Sequence, residues 1–210
     1  MATPQSKLDV RLTEEEYLAM ERSSDEKHEY LDGYTYAMAG EMPAHGKISV
    51  NLVGELFAQL KGSQCELFTK DTKIRTGPDP NPGWPPKGLF SYPDVVIVCG
   101  EAKYHDQYRD VLLNPKVIIE VLSEGTAGFD YSEKFRRYRE WLPSLEEYIL
   151  VSSLEVMIEH FRKQPSGDWL LTTTRNLDAL LRLESVGCEV RLSDVYARVS
   201  FDLDDSVLAQ

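Results

Sequence analysis

The chain has 210 residues, of which 42% are hydrophobic and 28% charged, and this balance fits one medium-sized α/β domain with a buried core. Its 23 Lys and Arg residues against 35 Asp and Glu residues leave a net charge of -12. A surface this acidic excludes a non-specific binder of polyanions, so any contact with nucleic acid must be a local site.

The cysteines and the apolar runs of the sequence indicate a cellular location. The three cysteines, Cys65, Cys99 and Cys188, are odd in number and widely spaced, so we expect neither a zinc site nor a disulfide framework, and a reducing cytoplasm is the predicted location. The N-terminal segment MATPQSKLDVRL lacks the apolar stretch of a signal peptide. No run approaches the roughly 18 apolar residues of a membrane span, so no membrane contact is expected.

The first half of the chain predicts two helices around a hairpin. LTEEEYLAMERS has a Thr cap and an acidic first turn, which indicates a short helix. HEYLDGYTYAMAG predicts a hairpin that turns at Asp32-Gly33. Apolar residues at four-residue spacing predict an amphipathic helix from His45 to Lys61. CELFTKDTKIRT alternates and predicts one strand, and the proline-rich GPDPNPGWPPKG predicts an irregular loop.

The second half predicts the centre of the sheet. YPDVVIVCG and KVIIEVLS are apolar on both faces, which is typical of strands covered on each side. A helix is predicted over 132–142, then a strand at EYILVS, a hairpin formed by VMIEHFRK and WLLTTTR, and a short strand and helical turn in CEVRLSDVYARVSF. We therefore predict a single α/β domain over 1–210, with a central mixed sheet flanked by helices.

Two carboxylates interrupt the apolar strands. Asp94 lies near the start of one strand and Glu120 near the end of the next, so both reach the same end of the sheet if the strands are antiparallel neighbours. Buried carboxylates are costly unless they are paired or bind a cation, and open oxygen ligands suit Mg²⁺ or Mn²⁺. Each residue taken singly has an alternative to a metal site. Asp94 also fits a turn or cap residue, and Glu120 also fits half of a buried ion pair.

Basic residues follow on the next predicted helix. Lys134 lies in its first turn, on the side of the apolar face, and can turn back toward the carboxylates. A cation beside a two-carboxylate metal site is what phosphodiester hydrolysis requires. Arg136 and Arg137 predict a local basic strip for a phosphate backbone, although the same segment, EKFRRYRE, is also typical of a solvated helix face with i,i+4 ion pairs.

These motifs resemble a known family. YPDVVIV, PKVIIEVLS and DYSEKFRRYREWLPSLEEYILV together look like the Uma family of restriction-endonuclease-like proteins, in the PD-(D/E)XK nuclease superfamily. EYLDGYTYAMAG, HGKISVNL and RLSDVYARV extend the resemblance over nearly the whole chain. The resemblance implies a restriction-endonuclease-like α/β fold and a Mg²⁺-dependent DNA endonuclease, with Mn²⁺ as a substitute.

The resemblance also assigns residues. Asp94 of Pro93-Asp94 and Glu120 take the acidic positions, and Val121 would offer its backbone carbonyl to the metal. Leu122 stands where the superfamily usually has lysine, so Lys134 on the next helix is expected to supply that cation.

Three further positions follow from the resemblance. Glu29 matches an additional acidic position and joins the predicted catalytic set of Asp94, Glu120 and Lys134. His45 matches a position for substrate contact, with a packing histidine as the alternative, and Asp71 is a weaker candidate that fits a structural strand residue.

Two other functions stay open at this point. One is a non-catalytic module that binds DNA or a protein, which the net charge of -12 favours and the set Asp94–Glu120–Lys134 opposes. The other keeps the metal site but acts on RNA or a small phosphodiester. A homodimer is expected, both from the resemblance and because cutting two strands needs two sites related by symmetry.

Overall fold

The computed structural model describes residues 11–38, 40, 42–81 and 85–201. Its α-helices are α1 (Glu14–Glu21), α2 (Pro43–Leu60), α3 (Ala127–Phe129), α4 (Phe135–Trp141) and α5 (Leu192–Val195), and a π-helical segment (Asp130–Lys134) joins α3 to α4. Its strands are β1 (His28–Leu31), β2 (Tyr34–Ala37), β3 (Cys65–Thr69), β4 (Lys73–Thr76), β5 (Leu89–Ser91), β6 (Val95–Cys99), β7 (Val111–Leu112), β8 (Val117–Leu122), β9 (Glu147–Ser152), β10 (Ile158–Lys163), β11 (Trp169–Thr174), β12 (Leu180–Leu183) and β13 (Cys188–Arg191).

Six strands form the larger sheet, in the order β11-β10-β9-β8-β6-β3. The pairing of β8 with β9 is parallel, and the other neighbours are antiparallel. Strands β6, β8 and β9 lie at the centre and are almost entirely buried, as their apolar sequences predict. The mixed α/β architecture with flanking helices confirms the predicted fold class.

Five strands form the second sheet, in the order β2-β1-β5-β4-β7, and β12 pairs with β13 in a separate hairpin. The β1–β2 hairpin turns at Asp32 and Gly33, as predicted, and both residues have positive φ angles of 50° and 95°. This conformation is what a two-residue hairpin turn requires. The second predicted hairpin is also present, as β10 and β11.

The larger sheet packs against different partners on its two faces. One face covers a core with the inward residues of α2, among them Leu52 and Leu56, and with the C-terminal hairpin and α5. The other face packs against α4, through Phe135 and Tyr138, and against strands β4, β5 and β7 of the second sheet. Because successive residues of β8 alternate between these faces, Glu120 points toward α4.

Two sequence predictions were wrong around β3. The segment 65–76 is not one strand: β3 and β4 belong to different sheets, because a turn closed by the Thr72 N–H on the Thr69 carbonyl separates them. The expectation of unpaired cysteines also fails, since β3 and β6 pair with Cys65 opposite Cys99 and a disulfide joins the two.

The remaining elements largely follow the sequence. Thr13 caps α1 in a capping box with Glu16, and α2 occupies the predicted segment. The short strands β5, β7 and β12 were not predicted, and part of the proline-rich loop lies outside the described residues. Among the residues that the structure describes, no helix is both long and apolar enough to traverse a bilayer.

Candidate active site

Asp94 and Glu120 meet where β6 and β8 pair. The two strands are antiparallel, with Val95 opposite Ile119, so Asp94, directly before β6, stands opposite Glu120. Both carboxylates are buried, with 9% and 3% of their surface exposed. The antiparallel neighbour relation that the sequence analysis required is therefore present.

Glu120 is held by two donors. Its Oε1 accepts hydrogen bonds from Lys134 Nζ at 3.3 Å and from the Tyr138 hydroxyl at 3.1 Å. Burial raises the pKa of Glu120 well above its usual range; Lys134 opposes this rise, and the negative charges of Asp130 and Asp94 add to it. The surroundings of Glu120 therefore favour the binding of a cation or a proton.

Lys134 lies at the centre of an acidic cluster. Its Nζ is 3.0 Å from Asp130 Oδ1, 3.0 Å from Glu29 Oε1 and 3.3 Å from Glu120 Oε1. Burial disfavours the ammonium, but the attraction of these three carboxylates outweighs it and raises the pKa of Lys134 well above its usual range. The lysine is therefore a permanently charged group within the protein.

The helix that carries Lys134 begins earlier than predicted. It starts at Ala127, not at 132, because the Ala127 N–H already bonds to the Ser123 carbonyl. The π-helical segment Asp130–Lys134 then leads into α4. Asp130, Lys134 and Tyr138 follow at four-residue spacing, which places all three side chains on the face toward β8. Single π-helical turns are frequent at functional sites.

Asp94 is oriented by the backbone and by a histidine. Its Oδ2 accepts a hydrogen bond from the Val121 N–H at 2.7 Å and lies 3.4 Å from His45 Nε2. The Nδ1 of the same imidazole lies 3.5 Å from Ser49 Oγ, one turn further along α2. The N–H and carbonyl of a strand residue point to the same side, so the Val121 carbonyl also points toward Asp94.

Glu29 connects the two sheets at the site. It lies on β1 of the five-stranded sheet, and its Oε1 binds Lys134 and accepts a hydrogen bond from the Tyr92 N–H at 3.3 Å. The structure thus brings together Asp94, Glu120, Lys134, Glu29 and His45, which the sequence analysis singles out from five separate segments.

The donors near Asp94 suit a hard cation. Two carboxylates and one carbonyl are oxygen ligands of the kind that Mg²⁺ takes together with several waters. Among the described residues, no group of three or more His, Cys, Asp or Glu side chains is arranged to hold a metal ion. A metal at this site would therefore rely on Asp94, Glu120, the Val121 carbonyl and water.

The predicted basic strip is engaged in ion pairs. Arg136 bonds to Glu133 at 2.8 Å and to Glu140 at 2.9 Å, and it is about half exposed. Arg137 is nearly buried, bound to Asp32 and Glu133 at 2.6 Å each. Neither arginine contacts the cluster around Lys134 through these bonds, so their role in substrate binding stays a prediction.

Asp71 lies in the turn that separates β3 from β4. It forms an ion pair with Lys27 and is 78% exposed on its side chain. The expected place of Asp71 in a strand is therefore wrong, because the turn leaves it outside both strands, and among the described residues no contact joins it to the Lys134 cluster.

The sequence analysis missed two members of the cluster. Asp130 is 2% exposed and binds Lys134, and Tyr138 is fully buried and donates to Glu120 while its hydroxyl lies 2.7 Å from Ser91 Oγ. Their four-residue spacing on either side of Lys134 was the available signal.

Comparisons with known proteins identify the family and relatives of this chain. The model of the Uma2 family, described as "Putative restriction endonuclease", matches residues 14–193, which include every residue of the cluster. Two uncharacterized proteins of Synechocystis sp., slr1290 and sll1609, are similar to the chain. The first is 35% identical over 191 residues, covering 91% of this chain and 94% of the relative; the second is 34% identical over 161 residues, covering 77% and 86%.

A crystal structure described as a putative nuclease belonging to DUF820 from Anabaena variabilis has a similar fold. The superposition has a TM-score of 0.69 and covers 88% of this chain and 97% of the other, at 15% sequence identity. At that identity the likeness concerns the fold, and it supports the restriction-endonuclease-like architecture predicted from the sequence.

Proposed function

The chain belongs to the Uma2 family, and from this premise we propose that it is a metal-dependent endonuclease that hydrolyses phosphodiester bonds of DNA. One observation carries the proposal. The side chains of Glu29, Asp130 and Glu120 converge on the buried Lys134, with Asp94 beside them. A cluster with this excess of negative charge attracts a divalent cation, and its lysine supplies the second cation that phosphoryl chemistry uses.

Asp94, Glu120 and the Val121 carbonyl would hold Mg²⁺, or Mn²⁺ in its place. When bound, the ion supplies the positive charge that polarises a phosphoryl oxygen and makes a water more acidic at neutral pH. The Val121 N–H contributes by fixing the Asp94 carboxylate at 2.7 Å, so that this ligand needs little reorganisation.

Lys134 supplies a donor for the charge that develops in the transition state. Asp130 and Glu29, each 3.0 Å from Nζ, keep the ammonium in place at the cluster. A preorganised charge in a buried site stabilises a transition state far more than the same charge in water. This arrangement would replace the strand lysine whose position Leu122 occupies.

His45 is the proposed substrate contact nearest to the carboxylates. Its Nε2 lies 3.4 Å from Asp94 Oδ2, at the first turn of α2, so a phosphate that approaches Asp94 also approaches the imidazole. Arg136 and Arg137 would bind the flanking backbone, which requires at least Arg136 to exchange a carboxylate partner for a phosphate.

The non-catalytic module remains a second candidate, because the same arginines are already paired with carboxylates and the net charge is -12. Such a module would bind DNA or protein without turnover. A third possibility, a nuclease for RNA or small phosphodiesters, differs only in substrate.

Two measurements test the proposal on one preparation. Calorimetry with Mn²⁺ should show binding by the wild type and its loss in Asp94→Ala, while Asp110→Ala, an ion-paired acid of the other sheet, should bind like the wild type. Plasmid nicking should require Mg²⁺ or Mn²⁺ and stop with EDTA. Equal Mn²⁺ binding by wild type and Asp94→Ala would remove the metal site.

Substrate choice is tested in parallel. We expect cleavage of plasmid DNA. Cleavage of RNA or of bis-p-nitrophenyl phosphate alone would favour the third possibility, a nuclease for RNA or small phosphodiesters. DNA binding without any cleavage would favour the non-catalytic module. We also propose that the nuclease acts as a homodimer, since two active sites related by a two-fold axis match the symmetry of a duplex.

A further inference from the structure

The two edges of the six-stranded sheet differ in exposure. At one edge, β3 exposes only Glu66 and leaves its other residues partly buried. At the other edge, β11 (Trp169–Thr174) exposes the four residues 170–173, and Leu170 and Leu171 are 46% and 45% exposed. An open edge with exposed leucines marks a surface for contact with another chain.

The hydrogen-bonding pattern identifies which backbone groups of β11 point outward. The Gln164 N–H bonds to the Asp168 carbonyl, so even-numbered residues from Asp168 onward face β10. The N–H and carbonyl groups of Trp169, Leu171 and Thr173 therefore point away from the sheet. In the part of the chain that the structure describes, no strand pairs with that side of β11.

The composition of β11 lacks the usual protection of an edge. Its sequence, WLLTTT, contains no charge, proline or glycine, although 28% of the chain is charged. Soluble proteins protect open sheet edges with lysine, with proline or with β-bulges, and β11 contains neither lysine nor proline. Two copies of a chain with net charge -12 also repel each other least through a neutral strip.

We infer that β11 pairs antiparallel with β11 of a second copy, which joins the two six-stranded sheets into one sheet of twelve strands. Outward residues must pair with outward residues, and a two-fold axis at Thr172 meets this condition by placing Leu171 opposite Thr173 of the other copy. The same register places Arg175 opposite Trp169 of the other copy, on one face of the sheet, where a guanidinium and an indole attract each other.

This interface would place the two candidate active sites on one face of the joined sheet. The two-fold axis is perpendicular to the sheet, so Glu120 of each copy points to the same side. Seven strand spacings of about 4.8 Å separate the two β8 strands, which is about 34 Å. The interface thus provides the paired sites that the proposed nuclease needs, but its evidence is independent of that function.

Amide exchange and mass measurement test the interface without any nuclease assay. At micromolar concentration the full chain should be a dimer by light scattering, with slow amide exchange at residues 169, 171 and 173. Dilution to the monomer should increase the exchange rate of these three amides at least tenfold, while the amides of residues 170, 172 and 174 stay protected by β10. Leu171→Lys should shift the protein to monomer because the two lysines then lie diagonally across the axis on the same face of the sheet and repel each other.

Leu154→Lys is the matched control, since Leu154 is 64% exposed and lies in the turn between β9 and β10. It should leave the dimer intact. Leu171→Pro, which removes an outward N–H and no hydrogen bond to β10, is the second variant if the lysine variant folds poorly. A monomeric wild type at 100 μM would overturn the inference. So would a dimer in which the 169, 171 and 173 amides exchange rapidly, or one that Leu171→Lys leaves unchanged.

Discussion

Two buried glutamates lie on adjacent parallel strands, and their surroundings are opposite. Glu147 on β9 accepts a hydrogen bond from the Ser185 N–H at 2.7 Å and pairs with His160 Nε2 at 2.5 Å. Burial acts against its carboxylate, but these partners outweigh the burial and lower the pKa of Glu147. Glu120 on β8 is equally enclosed, yet burial and acidic neighbours raise its pKa.

The difference distinguishes a carboxylate that the fold compensates from one that suits the proposed cation site. Glu147 has one partner for each oxygen, so its buried charge is compensated within the fold. Glu120 shares a single lysine with Glu29 and Asp130 and has Asp94 opposite, so the protein leaves negative charge uncompensated there. Such an excess is costly for folding, and it is the property that a cation site requires.

The largest expected effect is on cleavage. Glu120→Gln should reduce plasmid cleavage by on the order of 10³-fold, because it removes a metal ligand and its charge. Glu147→Gln, an identical change at equal burial one strand away, should retain cleavage within about threefold when compared at a temperature where both variants are folded. Similar losses in both variants would show that cleavage reports only on folding.

Lysine substitution comes next. Lys134→Ala should reduce turnover by roughly 10²–10³-fold, the usual loss when one electrostatic stabiliser is removed. Mn²⁺ affinity measured by calorimetry should stay equal or rise, because a nearby positive charge opposes cation binding. Lys73→Ala is the control, since Lys73 is also buried and ion-paired, to Asp110 at 2.9 Å. Normal turnover in Lys134→Ala would exclude the proposed role of the lysine.

The two glutamate substitutions should rank in the opposite order in their effect on stability. Glu147→Gln should lower the free energy of unfolding by about 2–4 kcal/mol, because it breaks a compensated buried pair. Glu120→Gln should leave that free energy unchanged or raise it, since Lys134 keeps Glu29 and Asp130 and one repelling charge is gone. Urea denaturation at neutral pH compares the two. A greater loss in Glu120→Gln contradicts the proposed imbalance.

The pH dependence of stability should also differ in sign. Because its folded pKa is lowered, Glu147 stabilises the protein above the unfolded pKa of about 4.3, and this contribution is lost as pH falls through the folded pKa. The raised pKa of Glu120 does the reverse: stability falls as pH rises from about 4.3 through its folded pKa. Glu120→Gln should remove the second slope, and Glu147→Gln the first, in urea titrations between about pH 2 and 8.

The smallest expected effect concerns the surface. Arg136 is 48% exposed and paired with Glu133 and Glu140, so Arg136→Ala should change the free energy of unfolding by less than about 1 kcal/mol. If Arg136 binds phosphate, the same variant should raise KM in a salt-dependent way and spare turnover at saturation. An unchanged KM at low salt removes Arg136 from the substrate site.

The sequence by itself determined the elements and most of the site. Alternation and apolar runs predicted the central strands, and Asp32-Gly33 predicted a hairpin turn, because these signals depend on neighbours in the chain. Asp94 and Glu120 were conspicuous as carboxylates in apolar strands, and strand order then brought them together. Lys134 was singled out by its place in the first turn of the next predicted helix, and the family resemblance, with Leu122 in the usual lysine position, indicated the same residue.

Tertiary structure decided the features that depend on contacts between distant segments of the chain. The sequence could not show that Cys65 stands opposite Cys99, that β3 and β4 enter different sheets, or that Glu29 of the second sheet reaches Lys134. In the sequence, Asp130 and Tyr138 resemble ordinary helix residues. Only the fold shows that both are buried and lie on the face toward Glu120. The physical reason is that compensation of a buried charge is a property of the assembled surroundings, so only the fold distinguishes Glu120 from Glu147.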